Sequence, residues 1–250
     1  SERCIRVRGR PIAEKTLARP VGDPVKLDDA LLVATLDGRI QGLRGDRHAV
    51  ETEIGDRPTC GLILAHGRAW LGLSNGQLAR IDRMGRFERI ELPGRPADVI
   101  GIAPHADGVL VTKSDGVLIA VGSDGEVQWS AKELGDLVGL AARAGQFAAV
   151  VDTRGRLLLF SMKSGDPKGQ ITLAGPTRGG LFASEDDQLI ALLTEGALWM
   201  YDPAAGRETV NVDLRGSAQF PPLLMKGGLL AVSADGERLT LVELPKRSQR

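Results

Sequence analysis

Hydrophobic positions along the chain fall in short runs that turn residues interrupt. The runs are roughly four to seven residues long, as in LLVATLDG, AWLGLSNG and ALLTEG. Runs of this length fit β-strands and are too short for helices, and no segment shows an apolar stripe at helical spacing. Because apolar and polar residues alternate poorly within the runs, we expect sheets that are buried on both faces. The pattern predicts an all-β protein.

Glycines recur in two interlocked series with a period of roughly 40 residues, which is the length of a four-stranded propeller blade. The first series follows apolar runs and comprises Gly38, Gly76, Gly116, Gly155, Gly196 and Gly236. The second comprises Gly9, Gly45, Gly85, Gly125, Gly165 and Gly206. Naming the strands of each unit A to D places the first series in the B–C hairpins and the second in the C–D turns. Asp-Gly and Asn-Gly pairs favour a type I′ turn, so we expect that turn in the B–C hairpins.

The repeat predicts one β-propeller domain over residues 1–250, with six four-stranded blades. We expect the blades at residues 21–55, 56–94, 95–135, 136–175, 176–216 and 217–245. The last unit supplies only strands A to C, whereas residues 1–20 carry Gly9 at the C–D position. We therefore expect residues 1–20 to form strand D of the last blade, so that pairing of the N- and C-terminal strands closes the ring and protects its edges. A piece of a longer propeller or solenoid is the alternative.

Several stretches resemble the pyrroloquinoline-quinone-like (quinoprotein-type) propeller repeat. FPPLLMKGGLLAVSADG resembles its strand A–strand B half, and SDGEVQWSAKELG resembles its strand D docking segment with Trp129 in the tryptophan position. EGALWMYDPAAG resembles its strand C and following turn, with the repeat positions at Gly196, Leu198, Tyr201, Asp202 and Gly206. Other units replace the docking tryptophan, so the resemblance is to a diverged branch. It implies a propeller, but its members range from quinone- and metal-binding enzymes to sensors and docking platforms without a cofactor.

Composition narrows the classes of partner. The chain has 32 basic and 32 acidic residues, so it offers no general field for nucleic acid or an anionic membrane. No apolar run reaches about 18 residues, so we expect no transmembrane segment and a soluble domain, either cytoplasmic or periplasmic. Cys4 and Cys60 do not make a disulfide framework. Cys60 lies in an apolar strand A, where we expect a small buried hydrophobic residue.

Catalytic and metal-binding constellations are absent from the sequence pattern. The three histidines, which we expect to be solvated loop residues, are too scattered for a ligand cluster: His48, His66 and His105. Three aspartates that precede glycine are explained by the hairpin turns: Asp37, Asp115 and Asp235. No nucleophile and base stand in a recognisable spacing. We therefore expect no enzymatic activity, no metal and no cofactor.

The aromatic residues mostly replace aliphatic ones. Tyr201 occupies a strand C position that holds Leu43, Ile81, Val121 and Phe160 in other units, so we expect it in the core. Trp199 occupies a position that holds Gln41, Ala79, Ile119 and Leu158. We expect core packing for Trp199 too, but Gln41 shows that this position tolerates polarity, so an exposed aromatic ring is the alternative. Trp70 replaces aliphatic residues in strand B, and we expect Trp129 to be a wedge between blades.

Arginine recurs in the D–A connections, which share a propeller face with the B–C hairpins. Five of the six connections contain one: Arg19, Arg57, Arg95, Arg178 and Arg215. Arg19, Arg57 and Arg95 each stand directly before a proline, and they follow one another at intervals of 38 residues. One interpretation is an arginine rim that binds carboxylates or phosphates through its planar guanidinium groups. The other is that these arginines pair with same-face acids, namely Asp37, Asp115, Glu195 and Asp235.

The sequence thus predicts a non-catalytic recognition or sensor propeller that mediates protein–protein interaction, as a domain of a larger protein or assembly. Its partner would be a protein with an acidic segment, or a small anion, bound at the arginine rim. Two alternatives stay open. One is a quinone- or calcium-dependent oxidoreductase, and the other is a structural scaffold for assembly.

Overall fold

The computed structural model describes residues 18–44, 47–83, 85–214, 216, 223–225, 229–234 and 238–243. All regular secondary structure in this part of the chain is β-strand. The predicted all-β class is therefore confirmed. Cys4, Arg215 and Asp235 lie outside the described residues, as do Gly9 and Gly236.

In the described residues, twenty-three strands form six antiparallel sheets, each a meander in chain order, and we number the sheets as blades 1 to 6. Blade 1 holds β1 (Pro20–Leu27), β2 (Ala30–Thr35), β3 (Arg39–Arg44) and β4 (Arg47–Glu53). Blade 2 holds β5 (Ile63–Ala65), β6 (Arg68–Gly72), β7 (Leu78–Ile81) and β8 (Phe87–Ile90). Blade 3 holds β9 (Val99–His105), β10 (Gly108–Lys113), β11 (Val117–Gly122) and β12 (Val127–Ala131).

Blade 4 holds β13 (Ala142–Ala144), β14 (Phe147–Val151), β15 (Arg156–Ser161) and β16 (Pro167–Thr172). Blade 5 holds β17 (Thr177–Ala183), β18 (Leu189–Leu193), β19 (Ala197–Asp202) and β20 (Arg207–Asp213). Blade 6 has three described strands, β21 (Leu223–Met225), β22 (Leu229–Ala234) and β23 (Arg238–Glu243). The strand that we expect residues 1–20 to add to blade 6 falls mainly on residues 1–17, which lie outside the described residues.

The blades follow one another with strand A innermost. Strand A of each of the first five blades contacts strand A of the next: β1 with β5, β5 with β9, β9 with β13, and β13 with β17. Strand D is the outermost strand, and β16 and β20 are accordingly exposed along most of their length. We call the face with the B–C turns and D–A connections the upper face. The face with the A–B and C–D turns is the lower face.

The core consists of apolar layers between neighbouring blades. In β10, Val109 and Val111 pack into the layer shared with blade 2, whereas Leu110 packs into the layer shared with blade 4. Blades 4 and 5 share a similar layer, and blades 1 and 2 another. Both faces of a central blade are therefore buried. This explains why the apolar runs show little alternation, since successive side chains enter different layers but both layers are hydrophobic.

The B–C hairpins do not form the predicted type I′ turn. The N–H of Gly38 donates to the carbonyl of Thr35 at 3.0 Å, and Gly38 has a φ of 77°. Asp37 does not have a positive φ, nor do its counterparts in blades 2 to 5: Asn75, Asp115, Arg154 and Glu195. This geometry is a type I turn followed by a glycine in the left-handed region. The prediction was wrong because the aspartate stands one position later in the turn than a type I′ geometry requires, so the glycine follows the two central residues.

Close approach gives these glycines a second role. A Cβ added to Gly116 would lie 2.5 Å from the carbonyl oxygen of Gly135, in the D–A connection that follows the same blade. A Cβ on Gly38 would meet the carbonyl of Asp56 in the same way, at 3.0 Å. Positive φ and lack of space therefore both require glycine, which accounts for the regular spacing of the first glycine series.

Glycine also permits close contact between the innermost strands. Leu140 forms a parallel bridge with Gly180, and the Leu140 N–H donates to the carbonyl of Gly179 at 3.2 Å. A Cβ on Gly139, whose φ is 55°, would overlap the same Gly179 carbonyl. Blades 4 and 5 are thus joined by backbone hydrogen bonds near the axis, and only a residue without a side chain fits there.

Replacing Gly139 by alanine should destabilise the protein by about 2 kcal/mol or more, because the new methyl group meets backbone and the φ is unfavourable. Gly169→Ala in the exposed strand β16 is the matched control. A Cβ at Gly169 meets nothing within 4 Å, so this change should be neutral or slightly stabilising. Urea unfolding of both variants tests the expectation. Equal stability of the two variants would contradict the role of the close approach.

Candidate functional site

One backbone hydrogen bond places the D–A connections in a common register on the upper face. In five blades the residue two positions before the B–C turn glycine donates its N–H to a carbonyl of the D–A connection that precedes that blade, at 2.8 to 3.0 Å. The accepting residues are Arg19, Arg57, Asp98, Asp136 and Pro176. We call this set the mouth column, because it stands where the innermost strands begin on the upper face.

The structure places only two of the predicted rim arginines in the mouth column. Arg19 and Arg57 occupy equivalent positions in the mouth column, as the spacing predicts, and both are exposed. Arg95 does not, because Asp98 takes that position in blade 3. Arg178 lies in β17, two residues beyond Pro176 of the mouth column, and Arg215 is outside the described residues. The upper face therefore carries arginines on blades 1 and 2 and aspartates on blades 3 and 4.

An insertion explains the different position of Arg95. The apolar residue that ends each blade packs into the next layer, and in blades 1 and 2 this residue is Ile54 and Leu92. Three positions separate Ile54 from Arg57, whereas six separate Leu92 from Asp98. The longer connection keeps the 38-residue spacing between Arg57 and Arg95 but shifts Arg95 out of register.

Arg57 on blade 2 forms an ion pair with Asp98 on blade 3, where the arginine positions of the mouth column meet the aspartate positions. Their Nη2 and Oδ2 atoms are 3.8 Å apart, and the side chains are 60% and 44% exposed. A pair this open contributes at most about 1 kcal/mol. Other acids on this face have their own partners, since Asp37 lies 3.7 Å from Arg39 and accepts a hydrogen bond from Thr35. Arg57 is thus held only loosely.

A buried lysine fixes the long connection. Lys113, which is 1% exposed, donates from Nζ to the carbonyls of Arg95 at 2.6 Å and Pro93 at 3.2 Å. Asp115 lies 3.7 Å from the same nitrogen. The ammonium group therefore takes the place of a backbone donor and holds the connection that carries Arg95 against blade 3.

Lys113→Met should destabilise the protein by about 1–3 kcal/mol, because it leaves the Pro93 and Arg95 carbonyls without a donor in a buried place. Lys132→Met is the control, since Lys132 is exposed, and it should change stability by less than about 0.5 kcal/mol. Thermal unfolding of the two variants measures the difference. If Lys113→Met unfolds like Lys132→Met, the lysine does not hold the connection.

Of the two aromatic residues in EGALWMYDPAAG, the structure buries Trp199 and half-buries Tyr201. Trp199 is 5% exposed and lies in the layer between blades 4 and 5, so it does not present an exposed aromatic ring. Its ring stacks on Tyr201 with centroids 5.5 Å apart, and its Nε1 donates to Glu208 at 3.0 Å. Tyr201 packs against the same layer, as expected, and Trp70 is fully buried.

Trp129 forms the predicted wedge between blades. It packs in the layer of blades 3 and 4, and its Nε1 donates to the carbonyl of Met162 at 2.8 Å. A Cβ on Gly165 in the C–D turn of blade 4 would collide with the Trp129 ring. Gly165 of the second glycine series thus gives space to the docking residue of the preceding blade.

Arg80 has the equivalent role between blades 2 and 3, which the sequence analysis missed. Its guanidinium donates to the carbonyl of Ser123 at 2.8 Å, in the C–D turn of blade 3, and stacks 5.7 Å from the Trp70 ring centroid. Glu88 neutralises it at 2.7 Å. The sequence contains a signal for this role. The same strand C position holds Ala120, Leu159 and Met200 in other blades, so an arginine there replaces an apolar residue.

Two of the three histidines lie in strands and not in loops as predicted: His48 in β4 and His105 at the end of β9. His66 is exposed on its turn as expected, but His105 is 7% exposed. It ends strand A at the position of Ala65 in blade 2 and Ala144 in blade 4. The Asp107 N–H donates to Nδ1 at 3.2 Å, so a neutral ring carries its proton on Nε2, which has no partner among the described residues. His66 Nε2 donates to the His105 carbonyl at 2.9 Å.

Burial lowers the pKa of His105 below its ordinary value of 6.5. Asp107 opposes this shift, whereas Arg143 and His66 add to it. The unfolded chain therefore binds a proton near pH 6.5 while the folded protein still excludes it, so stability is lost as the pH falls below 6.5.

His105→Ala should therefore lose less stability between about pH 7.5 and 5 than the unmodified protein. Alanine is the matched residue, because it occupies the same position in blades 2 and 4. Urea unfolding at both pH values measures the two differences. An equal loss in both proteins would show that His105 does not carry this pH dependence.

Three further features of the described residues bear on other types of site. No three His, Cys, Asp or Glu side chains among them are grouped as metal ligands would be. Burial raises the pKa of the Cys60 thiol to about 11, so this cysteine stays protonated at neutral pH. None of the described segments forms a helix with the length and hydrophobicity needed to cross a bilayer.

Known proteins share the fold but little sequence. No family model and no curated protein matches the chain. BamB from Moraxella catarrhalis superposes with a TM-score of 0.70 at 12% identity, covering 91% of this chain and 70% of that chain. A catalytically inactive virginiamycin B lyase from Staphylococcus aureus with quinupristin gives 0.71 at 15%, covering 91% and 84%. BBS1N in complex with ARL6DN gives 0.71 at 16%, covering 91% and 78%.

The fold is a β-propeller. Coverage of more than nine-tenths of this chain shows that the likeness extends over the blades and not only over one sheet. The predicted propeller is therefore confirmed. Identities of 12 to 16% establish the fold alone.

Proposed function

We propose that this chain is a non-catalytic recognition propeller that binds a partner protein at the mouth of its upper face. The observation that carries the proposal is the division of charge in the mouth column. Arg19 and Arg57 stand on blades 1 and 2, and Asp98 and Asp136 stand at the equivalent positions of blades 3 and 4. A partner with an acidic segment toward blades 1 and 2 and a basic one toward blades 3 and 4 would match this surface.

The weak Arg57–Asp98 pair supports this proposal. Because both side chains are largely exposed, a partner can replace their mutual contact with its own charges at little cost. The backbone of the mouth column is meanwhile held by hydrogen bonds in every described blade that contributes to it. A rigid base with loosely held charged ends is what charge-guided recognition needs, since little ordering is required on binding.

One comparison supports the class of function. BBS1N was determined in complex with ARL6DN, so a structure of this fold holds a protein partner. We further propose that the chain is a diverged member of the pyrroloquinoline-quinone-like repeat family without a cofactor. Trp129 supports this assignment, because it docks on Gly165 of the next blade at the position that the resemblance marks for the docking tryptophan.

Reversing the arginines should weaken partner binding. A partner isolated from the native source with the unmodified protein is titrated against Arg19→Glu/Arg57→Glu by calorimetry. At low salt we expect affinity to fall at least about tenfold, with a shallower dependence on salt, because two attractive charges become repulsive.

A matched charge change away from the mouth provides the control. Lys132→Glu/Arg207→Glu alters net charge by the same amount at exposed residues outside the mouth column, and it should leave affinity within about twofold. Asp98→Lys/Asp136→Lys should weaken binding as the arginine variant does. If neither mouth variant weakens binding more than the control, recognition at the mouth is wrong.

A further inference from the structure

A groove on the lower face, between blades 3 and 4, has not been assigned to any function. Its volume is about 1040 Å³, and blade 4 forms its floor. The lining residues used below are Gln128, Arg143, Phe147, Met162, Lys163 and Lys168. They come from β13, β14, β16 and the C–D turn of blade 4 and from β12, the outer strand of blade 3, so the groove runs across the blade from inside to outside.

The groove has an excess of positive charge. Arg143, Lys163 and Lys168 line it together with one acid, Asp107. Arg143 donates from Nε to the Gly145 carbonyl at 3.1 Å, which fixes the guanidinium without neutralising it. No ion pair joins any of these three cations to an acid in the part of the chain that the structure describes.

A groove at the lower end of blade 2 does not share this excess of positive charge. At the lower end of blade 2, three arginines line a smaller groove of about 420 Å³ together with Asp82 and Glu88. There Arg80 pairs with Glu88 at 2.7 Å and Arg86 pairs with Asp82 at 2.6 Å. The blade 2 groove is therefore largely neutralised by its own acids, whereas the groove between blades 3 and 4 leaves its cations for a ligand.

The spacing of the cations determines the shape of that ligand. Arg143 lies on β13, the innermost strand, and Lys168 on β16, the outermost. Three strand spacings separate them, or about 14 Å. An extended peptide covers this distance in about four residues, so separate carboxylates can contact the two ends, whereas a single phosphate or carboxylate would need both long side chains to converge on it.

Apolar contacts lie between the charged ends. Phe147 and Met162, both half-buried, stand on the central strands of the blade or just beyond them. An aromatic ring and a thioether together accept an apolar side chain of variable shape. Exposed Gln128 on β12 adds donors and an acceptor at the opposite wall.

We propose that this groove binds an extended acidic peptide segment, with carboxylates contacting Arg143, Lys163 and Lys168 and an apolar side chain between Phe147 and Met162. The site is on the face opposite the mouth column. It does not depend on the function proposed for the mouth, so one protein could hold a partner on the upper face and a peptide segment on the lower one.

The test uses a fluorescein-labelled peptide of about ten residues, with glutamate at alternate positions and a central leucine, an extended pattern in which alternate side chains share one side. Fluorescence anisotropy measures its binding to the full chain. Lys163→Glu/Lys168→Glu should weaken binding at least about tenfold at low salt. Lys132→Glu/Arg207→Glu, with the same charge change outside the groove, should leave binding within about twofold. A matching peptide with glutamine in place of glutamate should bind at least about tenfold more weakly.

Several outcomes would overturn the proposal. Equal weakening by the groove variant and the control variant would show that only net charge is recognised. Equal competition by inorganic phosphate and by unlabelled peptide would show a small-anion site. Loss of peptide binding in Arg19→Glu/Arg57→Glu, with the groove variant unaffected, would place the peptide at the mouth and leave the mouth proposal intact. Because Lys163 and Lys168 are exposed, the groove variant should keep its fold. Its unfolding temperature verifies this.

Discussion

The close approach of each B–C turn to the following D–A connection is the constraint on which the upper face depends. Glycine with a positive φ stands at each such turn in blades 1 to 5, and a side chain there would collide with the connection. The turn carbonyl also accepts a hydrogen bond from the connection in four of these blades, as between Gly116 and Leu134 at 3.1 Å. The connections are therefore held against the hairpins. The charged residues of the mouth column stand on this fixed backbone, although their side chains are exposed.

This constraint also explains how much of the fold the sequence predicts. A glycine needed for both its φ and its lack of a side chain cannot be replaced easily, so the first series keeps a regular period of roughly 40 residues, typical of propeller blades. Regular spacing and short apolar runs together predict the β-propeller. The type of turn is not predictable in the same way, because Asp-Gly suits both a type I′ turn and a type I turn followed by glycine.

The candidate site is less predictable because it depends on register between units. Three extra residues in the connection from Leu92 to Asp98 leave the Arg-Pro spacing unchanged while moving Arg95 out of the mouth column. His105 shows the same difficulty, since its burial becomes evident only when it is placed at the position of Ala65. The three cations of the lower groove come from β13, from β16 and from the turn between β15 and β16, and no common motif links them in the sequence. Strand pairing and side-chain packing decide where these residues lie, and neither can be read from the sequence of one repeat unit alone.

The contacts between blades differ in their chemistry although the blades share one shape. An arginine that stacks on Trp70 joins blade 2 to blade 3 through the Ser123 carbonyl. An indole joins blade 3 to blade 4 through Met162, and backbone bonds at Gly179 join blade 4 to blade 5. Each boundary thus accepts one particular neighbour. The order of the repeats is consequently encoded in their contacts as well as in the chain, and a unit moved to another place in the ring would meet a partner that it does not fit.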